Sequence, residues 1–250
     1  MPAERSMTEV SFDEARRGTD EFYAERGGFR YSDEQVDRWL ERWFFRYVTL
    51  ARAPRILDLC CGDGCWSLGI LRRVPDANVI GLDVSEGGTA MGNARAAKLA
   101  LADRVRFAAH DCEKPLPVED ASIDLIFARG LFIYNQHDMM HEGARVLLEH
   151  WHDKLVPQGR FVAMYGSKPE LMGRYTPPAQ TVGLPLNLAP RHSSALHFEG
   201  GKFNHTVASF TEPFRVLRNA EIELVHFESG RHTVVTKARP FAREDPQSVV

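Results

Sequence analysis

The chain has 250 residues, 44% of them hydrophobic and 26% charged, and carries a net charge of −3. That length suits one sizeable α/β core with a cap rather than two full domains, and the mild negative charge offers no field for a polyanion, so nucleic acid is not an expected partner. No stretch approaches the ~20 apolar residues that cross a bilayer, and the charged start "MPAERSMTEVSFDEARR" lacks a signal-peptide core, which predicts a cytoplasmic protein without membrane contact.

In chain order, the first strong signal is "SDEQVDRWLERWFFRYVTLA". Ser32 and Gln35 make a capping box. Val36, Trp39, Leu40, Trp43, Tyr47 and Val48 then recur at helical spacing, an aromatic stripe read as core packing. From residue 55 short apolar strands alternate with helices. "RILDLC" predicts a buried strand, Trp66–Arg73 a helix, "NVIGLDV" a second strand and Ser85–Leu101 a second helix. "RVRFAAHD" and "SIDLIFA" predict the third and fourth strands, Asp138–Leu155 a long helix and "GRFVAMYG" the fifth strand. Strands separated by helices of this length imply right-handed crossovers and a mostly parallel sheet covered on both faces.

The carboxyl-terminal part breaks this rhythm. Residues 167–209 are rich in proline, glycine and histidine, with a hairpin expected at "HFEGGKFNH". "FTEPFRVLRNA" predicts a short helix, with Thr211 as N-cap and Pro213 in its first turn. "EIELVHFES" and "RHTVVTKA" have no helix between them, so they are expected to pair antiparallel at the sheet edge.

The chemistry concentrates in "ILDLCCGDGCW", residues 56–66. It is the first strand and its turn, where open α/β sheets bind ligands. Adjacent Cys60 and Cys61 point to opposite sides of the chain and form no zinc knuckle together, so no metal is expected. A dinucleotide fingerprint needs a third glycine where Ser67 stands, and a Walker-type lysine is missing, so a phosphate cradle is poorly supported.

Asp58 with Gly62 and Gly64, Asp83 ending "VIGLDV", then "AAHDCEKPLP", "SIDLIFARGL" and "KLVPQGRFVAM" follow in an order that resembles the class I S-adenosylmethionine-dependent methyltransferases. The resemblance runs over residues 54–240 and implies a Rossmann-like three-layer α/β sandwich with a mostly parallel seven-stranded sheet and an antiparallel last strand. It departs from the family at Cys60, where a glycine is usual; a thiol fits there if the backbone angles stay ordinary. The implied organisation is one domain: residues 1–53 a helical lid, 54–166 the cofactor core, 167–209 an inserted substrate cap, 210–240 the closing helix and strand pair, and 241–250 a tail.

By the same resemblance the cofactor is S-adenosyl-L-methionine. Asp58, Cys60, Gly62 and Gly64 are expected at its methionine portion, Asp83 at both ribose hydroxyls, and Val84 against the adenine. Asp111 is expected at the adenine amino group and the Cys112 N–H at a ring nitrogen; the other reading of Asp111 is a turn aspartate. Ala128 and Arg129 are expected to border the sulfonium, with a structural ion pair the other reading of Arg129. Tyr23 and Tyr31 belong to a leader that folds over the cofactor, or else pack against the sheet. Tyr134, His137 and His205 are candidate bases for an oxygen or nitrogen acceptor on a small metabolite. A non-catalytic S-adenosylmethionine-binding protein and a nicotinamide-dependent oxidoreductase remain alternatives.

Overall fold

The computed structural model describes residues 17, 20, 21, 23–25, 31–129, 142–166, 197–199, 202–204, 211, 213–228 and 231–239. Helix α1, Asp33–Leu40, starts at the expected capping box: the Ser32 hydroxyl accepts from the Gln35 N–H, and the Gln35 side chain accepts from the Ser32 N–H. The helix does not continue unchanged to Val48. Glu41–Phe45 forms a π-helical turn, whose wider winding brings consecutive Trp43 and Phe44 both inward. Phe44, absent from the stripe read in the sequence, meets Phe127 edge-on at 5.4 Å, while Tyr47 is only half-buried.

Strands β1 (Arg55–Leu59), β2 (Asn78–Asp83), β3 (Val105–Ala109), β4 (Ile123–Arg129) and β5 (Leu155–Gly166) run parallel. Helices α2 (Cys65–Arg73), α3 (Glu86–Lys98) and α4 (Glu142–Asp153) connect them. A short hairpin, β6 (His197–Glu199) with β7 (Lys202–Asn204), falls where one was expected. Strands β8 (Ala220–Glu228) and β9 (Arg231–Ala238) complete the seven-stranded sheet, in the order β3-β2-β1-β4-β5-β9-β8. β9 is the one antiparallel strand and lies between β5 and β8. The order reverses at β1, which opens a crevice at the end of that strand.

One boundary differs from the sequence reading. The helix expected to reach Leu155 ends at Asp153, and β5 begins at Leu155, paired with Ile123. Gln158 then takes a left-handed φ of 71°, and the ladder resumes at Arg160 with Leu125. The bulge keeps Leu155 on the core face despite the proline and glycine that follow it.

Two apolar layers cover the sheet. Leu57, Leu59, Ile126 and Phe161 pack with Trp151 of α4 and with Phe214. Ile56, Leu125, Phe127 and Val162 pack with α1 and α2 on the other face. Gly69 of α2 lets α1 lie close, since a Cβ there would stand 2.5 Å from a Val36 methyl. Arg72 ties the same contact to Asp37 at 2.6 Å and Asp33 at 3.1 Å, and Arg95 of α3 also reaches Asp33.

Candidate functional site

The turn after β1 is built from alternating left-handed residues, Cys60 (φ 57°), Gly62 (φ 58°) and Gly64 (φ 71°). The Cys60 backbone is therefore not ordinary, which corrects the condition placed on it above. A non-glycine residue in this region costs about 1–2 kcal/mol. Gly64 caps α2 and donates its N–H to the Cys61 carbonyl at 3.0 Å. A Cβ at Gly64 would lie 2.3 Å from the Phe107 ring, which also fills the space beside Gly81 and Gly92.

Asp83, at the end of β2, is bonded to this turn. One carboxylate oxygen accepts the Gly62 N–H at 2.8 Å, the other the Ser85 N–H at 2.9 Å. Each oxygen keeps a lone pair for a further donor. Asp58 lies beneath, 1% exposed, and accepts the Ser67 hydroxyl at 2.6 Å. Burial pushes the Asp58 carboxyl up to about 7, and Asp83 is shifted upward for the same reason against its backbone hydrogen bonds. Asp63 accepts from the Cys65 N–H and is also buried. Three carboxylates thus line one loop. Ser67 was read in the sequence only as a missing glycine, yet a small hydroxyl in the first turn of the helix that follows the glycine turn, nine residues after the strand-end acid, was a signal for its bond to Asp58.

The leader reaches this loop from above. Asp20 accepts from the Ser85 hydroxyl at 2.5 Å and the Gly87 N–H at 2.9 Å, adding a second cap to α3. Tyr23 covers Gly62 and Gly88; its hydroxyl lies 2.0 Å from where a Gly62 Cβ would sit. Burial, then Asp83 and Asp63, push that hydroxyl's pKa well above the usual range, so it stays protonated. Nothing local in the sequence marked Asp20, whose partners are 65 and 67 residues away.

At the neighbouring strand end, Arg129 lies over three aromatic rings: Trp66 at 4.2 Å, Trp39 at 5.0 Å and Tyr31 at 5.3 Å. The Tyr31 hydroxyl accepts from it at 3.4 Å. No carboxylate stands within 4.0 Å of it among the described residues, so the ion-pair reading of Arg129 finds no partner there. Ala128 beside it is buried. Val84 is half-buried after β2. Past β3, Asp111 accepts the Glu113 N–H at 3.0 Å, as a turn aspartate does, and the Cys112 carbonyl accepts the Trp151 indole N–H at 3.1 Å. The loop residues, Asp83 and Tyr23 thus converge, and Tyr31 meets Arg129. Tyr134, His137 and His205 lie outside the described residues.

Residues 56–159, which contain the glycine turn and both strand-end acids, match the family model of the methyltransferase domain. Over this stretch the chain carries a methyltransferase domain. The demethylmenaquinone methyltransferase of Geobacillus kaustophilus is 29% identical to the chain over 137 residues, 54% of this chain and 55% of that protein. The sterol 4-C-methyltransferase of Caenorhabditis elegans is 30% identical over 119 residues, 46% of this chain and 32% of that protein. The chain spans about half the length of the first of these relatives, and less of the second. Among solved structures, the cyclase SpnF aligns with a TM-score of 0.65 at 14% identity, over 92% of this chain and 97% of that one. The geranyl diphosphate C-methyltransferase of Streptomyces coelicolor A3(2), solved with Mg2+, geranyl diphosphate and S-adenosyl-L-homocysteine, gives 0.59 at 13% identity over 92% and 98%. At such identities the methyltransferase domain shares their fold.

Proposed function

We propose that the chain transfers the methyl group of S-adenosylmethionine to an oxygen or nitrogen of a small molecule. The observation that carries this reading is the cluster of three buried acids at the glycine turn, Asp58, Asp63 and Asp83, which are 1%, 3% and 5% exposed. Burial pushes Asp58 and Asp83 towards their neutral forms; a pyrophosphate would push them further, whereas a ligand with a sulfonium and an ammonium favours their carboxylates and is complemented by them. This disfavours a nicotinamide dinucleotide more firmly than the missing third glycine did.

Bound S-adenosylmethionine supplies an electrophilic methyl group. The chain's own contribution is to hold both reactants in line at near-attack distance, which can account for much of the barrier reduction. In this reading Asp83 accepts the ribose hydroxyls with its remaining lone pairs, Val84 faces the adenine, and Asp111 and the Cys112 N–H read the adenine edge. Tyr23 keeps water from the loop, and Asp58, Cys60, Gly62 and Gly64 surround the methionine portion. A base is required only if the acceptor arrives protonated; Tyr134, His137 and His205 are the candidates. The printed acceptors of the relatives and neighbours, a demethylmenaquinone, a sterol and geranyl diphosphate, are small molecules, which supports that acceptor class. Two of those names specify transfer to carbon, so the reacting atom needs its own measurement.

Calorimetric titration with S-adenosylmethionine, S-adenosylhomocysteine and NAD tests the cofactor. Binding of the first two and not the third supports the proposal, and binding of NAD alone overturns it. An acceptor screen with 13C-methyl-labelled cofactor then separates oxygen, nitrogen and carbon products by methyl chemical shift. Tight cofactor binding without turnover on any acceptor would favour a non-catalytic binding protein.

A further inference from the structure

At the end of the sheet opposite the glycine turn lies a cavity of about 550 Å³, within the size range of small-molecule sites, that the methyl-transfer reading leaves unused. The β3–β4 connection leaves room for it. Residues 110–122 form no helix, and Pro115 and Pro117 each lack the N–H that a helix interior needs. Trp151 of α4 packs with Leu57, Ile126 and Phe161 on this face of the sheet. Toward β3 the same face borders the cavity instead, with Ile80, Val118 and Ile123 in its lining.

Three cations line this cavity, Arg55, Arg104 and Arg106. Arg55 pairs with Asn78 across the β1–β2 ladder, and Arg104 comes one residue before the Val79–Val105 pair, so Arg55, Asn78 and Arg104 form one cross-strand row. Arg106 pairs with Ile80 in the next row of the same face. Among the described residues none of the three guanidiniums has a hydrogen-bond or ion-pair partner, whereas Arg72, Arg95 and Arg160 are all bound to carboxylates. The nearby acids do not neutralise them. Asp124 accepts the Arg55 backbone N–H at 2.8 Å, Asp120 is paired with Lys154 at 2.5 Å, and exposed Asp103 and Glu119 line the cavity without an ion pair to any of the three. Like charges that neighbour one another on a sheet face repel, and an anion between them removes that cost.

The spacing says what kind of anion. Arg104 and Arg106 stand two residues apart on one strand and one face, so both can close on a single tetrahedral oxyanion, each with two parallel N–H donors. Arg55 lies two strand spacings away, about 10 Å, which suits a second anionic group. Asp103 and Glu119 offer acceptors to hydroxyls between the two. We infer that this cavity binds a small hydroxylated molecule carrying two phosphate groups, one on Arg104 and Arg106 and the other on Arg55. From Arg55 to Cys60 and from Asn78 to Asp83 the strands run about 17 Å, so this ligand and one at the glycine turn do not compete.

The test is calorimetric titration of the full chain, with and without S-adenosylmethionine, by fructose 1,6-bisphosphate, fructose 6-phosphate, fructose and inorganic phosphate. The bisphosphate is expected to bind roughly tenfold or more tightly than the monophosphate, the scale of one hydrogen-bonded charge, and fructose not at all. Arg55→Gln removes the advantage of the bisphosphate and leaves the monophosphate unchanged. Arg104→Gln combined with Arg106→Gln weakens both by roughly tenfold or more, with thermal unfolding to check the fold. The ligand comparison on the wild type decides the matter even where a variant fails to fold. No saturable binding, equal affinity for the bisphosphate and inorganic phosphate, or displacement by S-adenosylmethionine overturns the inference. So do variants that bind as the wild type does, and so does binding to phosphatidic acid vesicles but to no soluble phosphate, which would make the arginines a membrane contact.

Discussion

Replacing Asp58 by asparagine is expected to make the protein less tolerant of acid, although it removes an acid. Buried at 1% exposure, the Asp58 carboxyl is moved from 3.8 up to about 7 by desolvation, against the Ser67 hydrogen bond. A carboxyl raised in this way holds its proton more tightly folded than unfolded. Its contribution to stability is complete below pH 3.8 and is lost as the pH rises through 7. His152 has the opposite sign. Fully enclosed between the Leu148 carbonyl and the Thr236 hydroxyl, each at 2.6 Å, it is lowered by burial from 6.5 to about 4. Its contribution is complete above pH 6.5 and is lost as the pH falls through 4. At about 1.4 kcal/mol per pH unit, each effect integrates to about 3 kcal/mol between pH 7 and 4, in opposite directions. In the wild type they nearly cancel. Asp58→Asn keeps an acceptor for Ser67 but leaves His152 uncompensated. Urea unfolding followed by tryptophan fluorescence, repeated from about pH 7 down to about pH 4, reads the difference directly. The wild type should gain on the variant by about 3 kcal/mol over that range. Parallel profiles would refute the reasoning, because Asp58 would then not take up its proton in this window.

Adding His152→Gln to Asp58→Asn is expected to remove about 3 kcal/mol of acid-induced loss, seen as a flatter profile in the same unfolding series. Gly64→Ala forces a Cβ to φ 71° and to 2.3 Å from Phe107, so backbone strain and overpacking together should cost about 2–5 kcal/mol in urea. Trimming the ring with Phe107→Leu in that variant should reduce only the packing share, a coupling that a double-mutant cycle measures. Cys60→Gly relieves left-handed strain of about 1–2 kcal/mol and returns about 0.5–1 kcal/mol as chain entropy. Its urea midpoint should therefore equal or exceed that of the wild type, and a lower midpoint would refute the strain assigned to Cys60.

Much of this was legible in the chain because it is written in local patterns. The capping box at Ser32 and Gln35, the alternation of strands and helices, and the acid–glycine turn are all matters of residue type at short spacing. The features that escaped depend on partners distant in sequence. Phe44 turns inward because a π-helical turn inserts a residue into the repeat, and no propensity at 41–45 announces that. Asp20 caps a helix 65 residues away, and Phe107 fixes the demand for glycine at position 64 from another strand. The early start of β5 was hidden by Pro157 and Gly159, which read as breakers in isolation but sit in a bulge. At the site, the strand-end acids were recognisable, whereas the platform under Arg129 needs Tyr31, Trp39 and Trp66 from three separate segments.

The place of β9 inside the sheet has a consequence for how the protein is made. Both its neighbours, β5 and β8, leave the ribosome first. Until Arg231–Ala238 emerges, the β5 segment with Phe161, Val162, Ala163 and Met164 lacks its partner and presents an open, apolar edge. The ~65 residues between Gly166 and Arg231 take roughly 3–13 s to synthesise at ~5–20 residues per second. For those seconds the nascent chain carries an unfinished sheet with an open edge, an aggregation hazard that a chaperone can relieve and that slower synthesis prolongs. The strand that closes the sheet is thus also the step that ends its exposure.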